Sequence, residues 1–340
     1  MPLPRIALIT LGGTIASVPG QSGGAVPSLD AEALAGSVPG IEALATIALH
    51  PFRKLPGAHL TTADLIELAG MAGRQAMDGV QGIVISQGTD TIEETAFALD
   101  WLIDDGIPIV VTGAMRGPTE PGADGPANLL GAVRVAASGE SAGAGVVVLM
   151  DDTIHAARWV CKMHSSRPSA FSSPMTGPIG WVSEDRVTIA LRPANRIRLE
   201  GVSAEPTPRV ALLSSWLGDD GALILAAKDA GYDAMVVQGA GGGHVNQAVA
   251  EAIGTAAKAM PVVFASRVGS GEMLTKTYGF AGSEMDLIER GAIPAGPFSG
   301  TKARLLLDLL LRRAGTVSDA AFEFRRLVTE RGRVSNSEVN

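Results

Sequence analysis

Cysteine is nearly absent: Cys161 is the only one in 340 residues. That excludes an internal disulfide framework and a multi-cysteine zinc site. Aromatic residues make up 4% of the chain, and the only tyrosines are Tyr232 and Tyr278. Positive charge is also in deficit. With a net charge of −8 there is no basic footprint, which sets nucleic acid aside as a partner. Long hydrophobic runs are missing as well. The densest leucine stretch, "ARLLLDLLLRR" (303–313), carries Asp308 and is far too short to span a bilayer, so it is expected to be a core helix. The opening "MPLPRIALITLGG" lacks the apolar stretch and cleavage site of a signal peptide. A cytoplasmic protein with no membrane partner is expected.

What remains is a globular composition, 46% hydrophobic and 18% charged, with 42 glycines. The length suffices for one large or two medium domains. Short apolar, β-branched runs alternate with Ala/Leu-rich stretches of helical length. The runs are "RIALIT" (5–10), "GIVIS" (82–86), "IPIVVT" (107–112), "GVVVLM" (145–150), "RVALLS" (209–214), "DAMVVQ" (233–238) and "PVVFAS" (261–266). Such runs suit parallel strands covered on both faces, and the stretches between them suit crossover helices. The fold class expected is α/β, of doubly wound type. The proline-rich segment 191–208 reads as a linker between an N-terminal domain, 1–190, and a smaller C-terminal α/β domain, 209–340. The closing "RGRVSNSEVN" reads as a frayed tail.

Polar motifs collect at strand ends. "LGGTIAS" (11–17), "SQGTDT" (86–91), "TGAMR" (112–116) and "DDT" (151–153) each follow an apolar run. Open parallel sheets bind ligands outside the carboxyl ends of their strands, so a shared site is expected there. The stretch "ISQGTDTIEE" (85–94) also has the look of a helix start. Thr91 with Glu94, and Asp90 with Glu93, have capping-box spacing, while Ile92, Ala96, Leu99 and Ile103 recur on one helical face. Gly106 and Pro108 would end that helix.

Gly12 and Gly13 permit a tight turn that presents Thr14, either to a ligand or as a helix cap. The Gly-Lys of a phosphate loop is missing. "GAGGGH" (239–244) resembles a dinucleotide loop only weakly, since His244 stands at the last glycine position. Thr89 sits before a helix start, where free N–H groups can stabilise an oxyanion. A threonine hydroxyl needs a base to become a nucleophile. Lys162 in "VCKMH" (160–164) could supply it, oriented by a carboxylate such as Asp90; taken alone, Lys162 reads rather as a solvated surface lysine. Cys161 and His164 would share a face if helical, as a nucleophilic pair, or Cys161 is a buried inert thiol. Asp151, Asp152, His155 and His164 lack metal-ligand spacing.

Together, "LGGTIAS", "SQGTDTIEETAFALDWL", "TGAMR", "ADGPANLLGAV", "DDTIHAARWVCK", "GPIGW", "DAGYDAMVVQGAGGG" and "SRVGSGE" resemble the bacterial-type L-asparaginases in order and over nearly the whole chain. The resemblance implies a two-domain asparaginase-like α/β fold with mainly parallel sheets, and hydrolysis of L-asparagine to aspartate and ammonia without metal or organic cofactor. It implies a homotetramer, a dimer of dimers, with active sites shared between subunits. Thr14 would be the nucleophile. Thr89, Asp90 and Lys162 would form a second catalytic cluster, with Asp90 also holding the substrate ammonium. Gly88 and Thr89 would supply oxyanion donors, Ala114 a carbonyl for the leaving amide, and Glu284 a carboxylate for a neighbouring subunit's site.

Departures from the family pattern fall on substrate-holding groups. The loop "SVPGQSGGAVPSL" (17–29) has no tyrosine, and Tyr278 is the candidate accessory replacement. Gly57 and Ala58 stand where the family carries a substrate-binding Ser-Gln pair, Gln87 where histidine is common, and His244 where asparagine is common. Three functions are therefore in view. The first is asparaginase. The second is a related amidase for L-glutamine, D-asparagine or a β-aspartyl amide. The third is a non-catalytic amino-acid-binding protein. Racemisation by two opposed thiols is not available to a chain with one cysteine.

Overall fold

All seven apolar runs fold as strands: "RIALIT" and "GIVIS" do so over their full length, and the other five begin one or two residues later, past a leading proline, glycine or charged residue. The computed structural model describes residues 2–20, 24–103, 106–194, 196–313 and 315–331, so most of the C-terminal tail lies outside it. Two compact units result, Met1–Arg198 and Leu199–Asn340, and the division falls inside the proline-rich stretch 191–208.

The first unit is built on an eight-stranded sheet. Its order is Arg186–Ile189, Gly180–Ser183, Thr153–Ala156, Val146–Met150, Ile109–Thr112, Gly82–Ser86, Arg5–Thr10, Thr46–Pro51. The last five run parallel to one another, and the first three are antiparallel additions at one edge. So the sheet is mixed, and Thr46–Pro51 was not among the apolar runs. That strand lies at the other edge, is half-buried, and mixes Thr, His and Pro among its apolar residues. Taken in chain order, the parallel strands stand 2-1-3-4-5 across the sheet. The order reverses between Arg5–Thr10 and Gly82–Ser86, and crevices for ligands form at such switch points.

Alternate residues of each central strand feed two cores. Ile6, Leu8, Val84, Val110 and Val147 pack with Leu129 and Val133 of the helix Gly125–Ser138. Ala7, Ile9, Ile83, Ile85 and Val111 pack on the other face, with Leu68 and Ala72 of the helix Thr62–Met77 and with Ala96 and Leu99 of the helix Ile92–Leu102. This double cover explains why the strand sequences are continuously apolar.

The capping boxes expected at "TDTIEE" do not form. The α-helix starts at Ile92, no side chain caps it, and the Thr91 hydroxyl donates instead to the Gly57 carbonyl at 2.9 Å. The helix ends at Leu102, ahead of Gly106.

The second unit has four parallel strands in the order Val210–Ser214, Ala234–Gly239, Val262–Ser266, Ile293–Pro294. The leucine-rich stretch forms the buried helix Gly300–Leu311, and its Asp308 is held by Arg304 and Arg312 one turn to either side. Among the described residues no helix is long and apolar enough to cross a membrane.

Candidate active site

Three chain segments meet at the switch point of the first unit. The first leaves the strand Arg5–Thr10 through Gly12 and Gly13, whose φ values of 95° and 83° suit only glycine. A methyl group on Gly13 would lie 2.1 Å from the Gly88 backbone nitrogen, and one on Gly12 would lie 2.8 Å from Leu55. A methyl group on Gly57 would lie 2.9 Å from the Gly88 carbonyl oxygen. Gly13, Gly57 and Gly88 therefore stack backbone on backbone. Each belongs to or opens a short 3-10 turn: Thr14–Ala16, Gly57–His59 and Thr89–Thr91. The leading N–H groups of such turns have no partner within the turn. Thr14, Ala58 and Thr89 are thus brought to one locality although each lies in a different segment.

Lys162 enters from a distant hairpin, the strand Cys161–Lys162 paired with Phe171–Ser172. Its Nζ donates to Thr89 Oγ1 at 2.9 Å and to Asp90 Oδ1 at 2.7 Å. Glu93 fixes the strand by accepting the Lys162 backbone N–H at 2.8 Å. Thr89 is buried and Lys162 mostly so, whereas the Asp90 side chain is 68% exposed. The ammonium thus bridges an inner hydroxyl and an outer carboxylate, which leaves Asp90 oxygens accessible to a cationic group.

A third element is the turn "TGAMR". Asp124 accepts the N–H groups of Met115 and Arg116, and Asn128 Nδ2 donates to the Gly113 carbonyl at 3.0 Å. A Cβ built on Gly125 would touch both Ile15 and Ala114, so the turn bearing Ala114 lies against the one bearing Thr14.

In the second unit Glu284 is completely buried at the start of the helix Glu284–Glu289. Its Oε1 accepts the backbone N–H groups of Thr277 and Tyr278, each at 2.6 Å, and its Oε2 faces His244 Nε2 at 3.0 Å. Burial alone would raise its pKa, but the N–H groups of Tyr278, Glu284 and Thr277 and the His244 ring hold it below the usual carboxylate range. The His244 ring meets Tyr278 and Phe280 edge-on, at 5.1 and 5.3 Å between centroids.

Comparison with known proteins bears on both units. The family model for the asparaginase N-terminal domain matches residues 5–195, and that for the glutaminase/asparaginase C-terminal domain matches residues 209–321. The chain belongs to the asparaginase family. It is 37% identical to a probable L-asparaginase of Deinococcus radiodurans, over 96% of this chain and 98% of that one. It is 35% identical to an L-asparaginase of Bacillus licheniformis, over 90% and 95%. A probable cytoplasmic L-asparaginase of Campylobacter jejuni, of known crystal structure, superposes with a TM-score of 0.84 at 31% identity, covering 94% of this chain and 99% of that one. This asparaginase-family chain is an amidohydrolase with the two-domain fold of its relatives.

Within this asparaginase-family framework, Thr89, Asp90 and Lys162 are in direct contact, and the turns that carry Thr14, Gly57 with Ala58, and Ala114 adjoin the loop of Gly88 and Thr89 through Gly13, Gly57 and Gly113. Glu284, His244 and Tyr278 form a cluster within the second unit. The Glu284 carboxylate, expected to serve a neighbouring site, is occupied by groups of its own unit. Tyr278 is 45% exposed there. Of the loop 17–29, Ser17–Pro19 and Ala25–Pro27 form a small hairpin, and residues 21–23 lie outside the described set.

One reading from spacing is corrected. Cys161 and His164 do not share a helical face, because the segment begins as a strand; the His164 ring accepts the N–H groups of Ser166 and Arg167. Asp151 and Asp152 make a tight turn at φ values of 51° and 56°, and His155 is buried against Ser173. Among the described residues no cluster of three His, Cys, Asp or Glu is arranged for a metal. Spacing missed the roles of Glu93, Asp124 and Asn128, whose backbone partners lie on other segments, 8 to 69 residues along the chain, and leave no helical or strand period.

Proposed function

We propose that this enzyme hydrolyses L-asparagine to L-aspartate and ammonia through an acyl-enzyme on Thr14. The observation that carries the reading is the Lys162 ammonium seated between Thr89 Oγ1 at 2.9 Å and Asp90 Oδ1 at 2.7 Å, beside the turn that holds Thr14. Thr14 Oγ attacks the amide carbon, and the developing oxyanion is met by N–H groups at the start of the Thr89 turn. The C–N bond then breaks and nitrogen leaves as ammonia, carrying the proton that Thr14 gave up, relayed through Thr89 and the Lys162 ammonium, which gives one proton and takes one back. Water then attacks the ester, its proton passing by the same relay to Thr14 Oγ as the ester C–O bond breaks and aspartate is freed. Asp90, the exposed end of the chain of contacts, holds the substrate's ammonium.

The test is ammonia release from L-asparagine by the wild type, Thr14→Ala and Thr89→Val. Both variants are expected to lose nearly all turnover, and undiminished turnover in both would end the reading. A second reading, a different preferred amide, is favoured by the hydrogen and methyl that Gly57 and Ala58 offer in place of polar side chains. A panel of L-glutamine, D-asparagine and β-aspartyl amides separates the two. The family resemblance also supports a cytoplasmic homotetramer with sites completed between subunits, which light scattering of the purified protein tests.

A further inference from the structure

The Thr91 hydroxyl has a choice that its position in sequence does not reveal. It stands immediately before the helix Ile92–Leu102, where a threonine ordinarily turns its oxygen back onto the helix N–H groups. Here it caps nothing. Its proton goes to the Gly57 carbonyl, 34 residues earlier in the chain, at 2.9 Å.

Its lone pairs face Gln87. The Gln87 amide nitrogen donates to the Gly88 carbonyl at 3.2 Å and, over a longer 3.4 Å, to Thr91 Oγ1. A hydroxyl has one proton to give. An amide NH2 can only donate, so the chain has a fixed direction: Gln87 to Thr91 to Gly57. Gln87 is fully buried, and its Oε1 has no hydrogen-bond partner among the described residues. Leaving a buried carbonyl oxygen unpaired is costly. The cost is consistent with the amide being held for what its nitrogen does.

This chain ties the turn Gly57–His59 to the loop that carries Gly88 and Thr89. Sterics close the same joint. A Cβ on Gly57 would lie 2.9 Å from the Gly88 carbonyl oxygen and 3.1 Å from Thr91 Oγ1, and one on Gly88 would lie 2.8 Å from the Gly57 nitrogen. At 57 and 58 the side chains are a hydrogen and a methyl, so what these two positions offer a charged substrate is their backbone. Backbone recognition has no side-chain rotamer with which to adapt. It depends on where the turn is held relative to Thr89.

We infer that Thr91, oriented by Gln87, is a positioning residue that sets the substrate-holding turn Gly57–His59 against the catalytic loop and so governs substrate affinity. The inference rests on the amidohydrolase reading of this site. Thr91 touches no reacting atom in that reading, so its loss should weaken binding and leave the chemistry in place.

The experiment is steady-state kinetics on L-asparagine, or on the best amide of the panel, for wild type, Thr91→Val and Thr91→Ser, with thermal melts of each. Thr91→Val keeps the shape and removes the proton. It is expected to raise KM about tenfold while kcat changes less than about threefold, the size of one lost hydrogen bond. Thr91→Ser restores the donor and is expected to return KM to near the wild-type value. A lowered melting temperature in both variants with KM unchanged would mean a purely structural hydroxyl and overturn the inference. So would a fall in kcat at constant KM. Should the wild type release no ammonia from any amide, it is the amidohydrolase reading that fails, and the inference falls with it. An active wild type with an unaltered Thr91→Val removes the inference alone.

Discussion

Gly13 and Gly88 are packed so closely that a methyl group on the first would fall 2.1 Å from the backbone nitrogen of the second. The contact joins the segment bearing Thr14 to the one bearing Thr89, and no side chain can enter it. Gly13→Ala would have to push the two segments apart and would also strain a residue at φ 83°. Expected is a loss of kcat/KM of at least about 100-fold, since small misplacements of reacting groups cost that much. Kinetics together with a melting curve separate this from global unfolding.

Gly57 invites the opposite experiment. The family resemblance implies a serine where this chain has Gly57, and introducing one would seem to add a substrate contact. The Gly88 carbonyl oxygen, 2.9 Å from where the new Cβ would be, does not leave room for one. Gly57→Ser is therefore expected to raise KM. A fall in KM would show that the two backbones can separate cheaply.

Lys162 is asked to do more than carry charge. It touches a hydroxyl and a carboxylate at once, 2.9 and 2.7 Å away. Lys162→Met should reduce kcat by about 100- to 10,000-fold, the range for loss of a proton-transfer group. Lys162→Arg keeps a cation but cannot take and return a proton near neutral pH, so it should rescue little. Substantial activity in the arginine variant would reduce the role of Lys162 to electrostatics.

His155 makes stability depend on pH. Burial holds its imidazole down to about 4, against 6.5 when exposed. Between those values the unfolded chain binds a proton that the folded chain refuses. Stability is complete above pH 6.5 and falls as the pH drops toward 4, by about 3 kcal/mol in all. Urea denaturation at pH 7 and at pH 4.5 measures the slope. His155→Asn, which can keep a polar contact to Ser173 without titrating, should flatten it.

Glu284 organises the loop around Tyr278. Its carboxyl is held below the ordinary range, so its contribution is present above the unfolded value of 4.5 and fades as the pH falls through the lower folded value. Glu284→Ala leaves the Thr277 and Tyr278 N–H groups without their acceptor, at a cost of about 2–3 kcal/mol. Glu284→Gln keeps an acceptor for them and should cost clearly less. Equal losses in both variants would place the effect on the charge.

Some features were legible in the chain itself because their causes are local. A strand covered on both faces must be apolar throughout, so "RIALIT" and "GIVIS" declare themselves. A turn at positive φ needs glycine, so "LGGT" marks where the chain leaves its strand. The motif residues Thr14, Thr89, Asp90 and Lys162 stood out from the same local patterns and from family likeness. The edge strand Thr46–Pro51 did not, since a half-buried edge tolerates polar residues. What only the tertiary structure decided is which distant groups become partners. The capping pattern at Thr91 was locally sound, yet the hydroxyl goes to Gly57, because a neighbouring turn brings a carbonyl within reach. Thr89 and Lys162 are 73 residues apart in the chain and 2.9 Å apart in the site. Sequence periodicity records the neighbours a residue has along its own element. Contacts across elements depend on strand order and on glycine-to-glycine approach, and these exist only once the sheet has assembled.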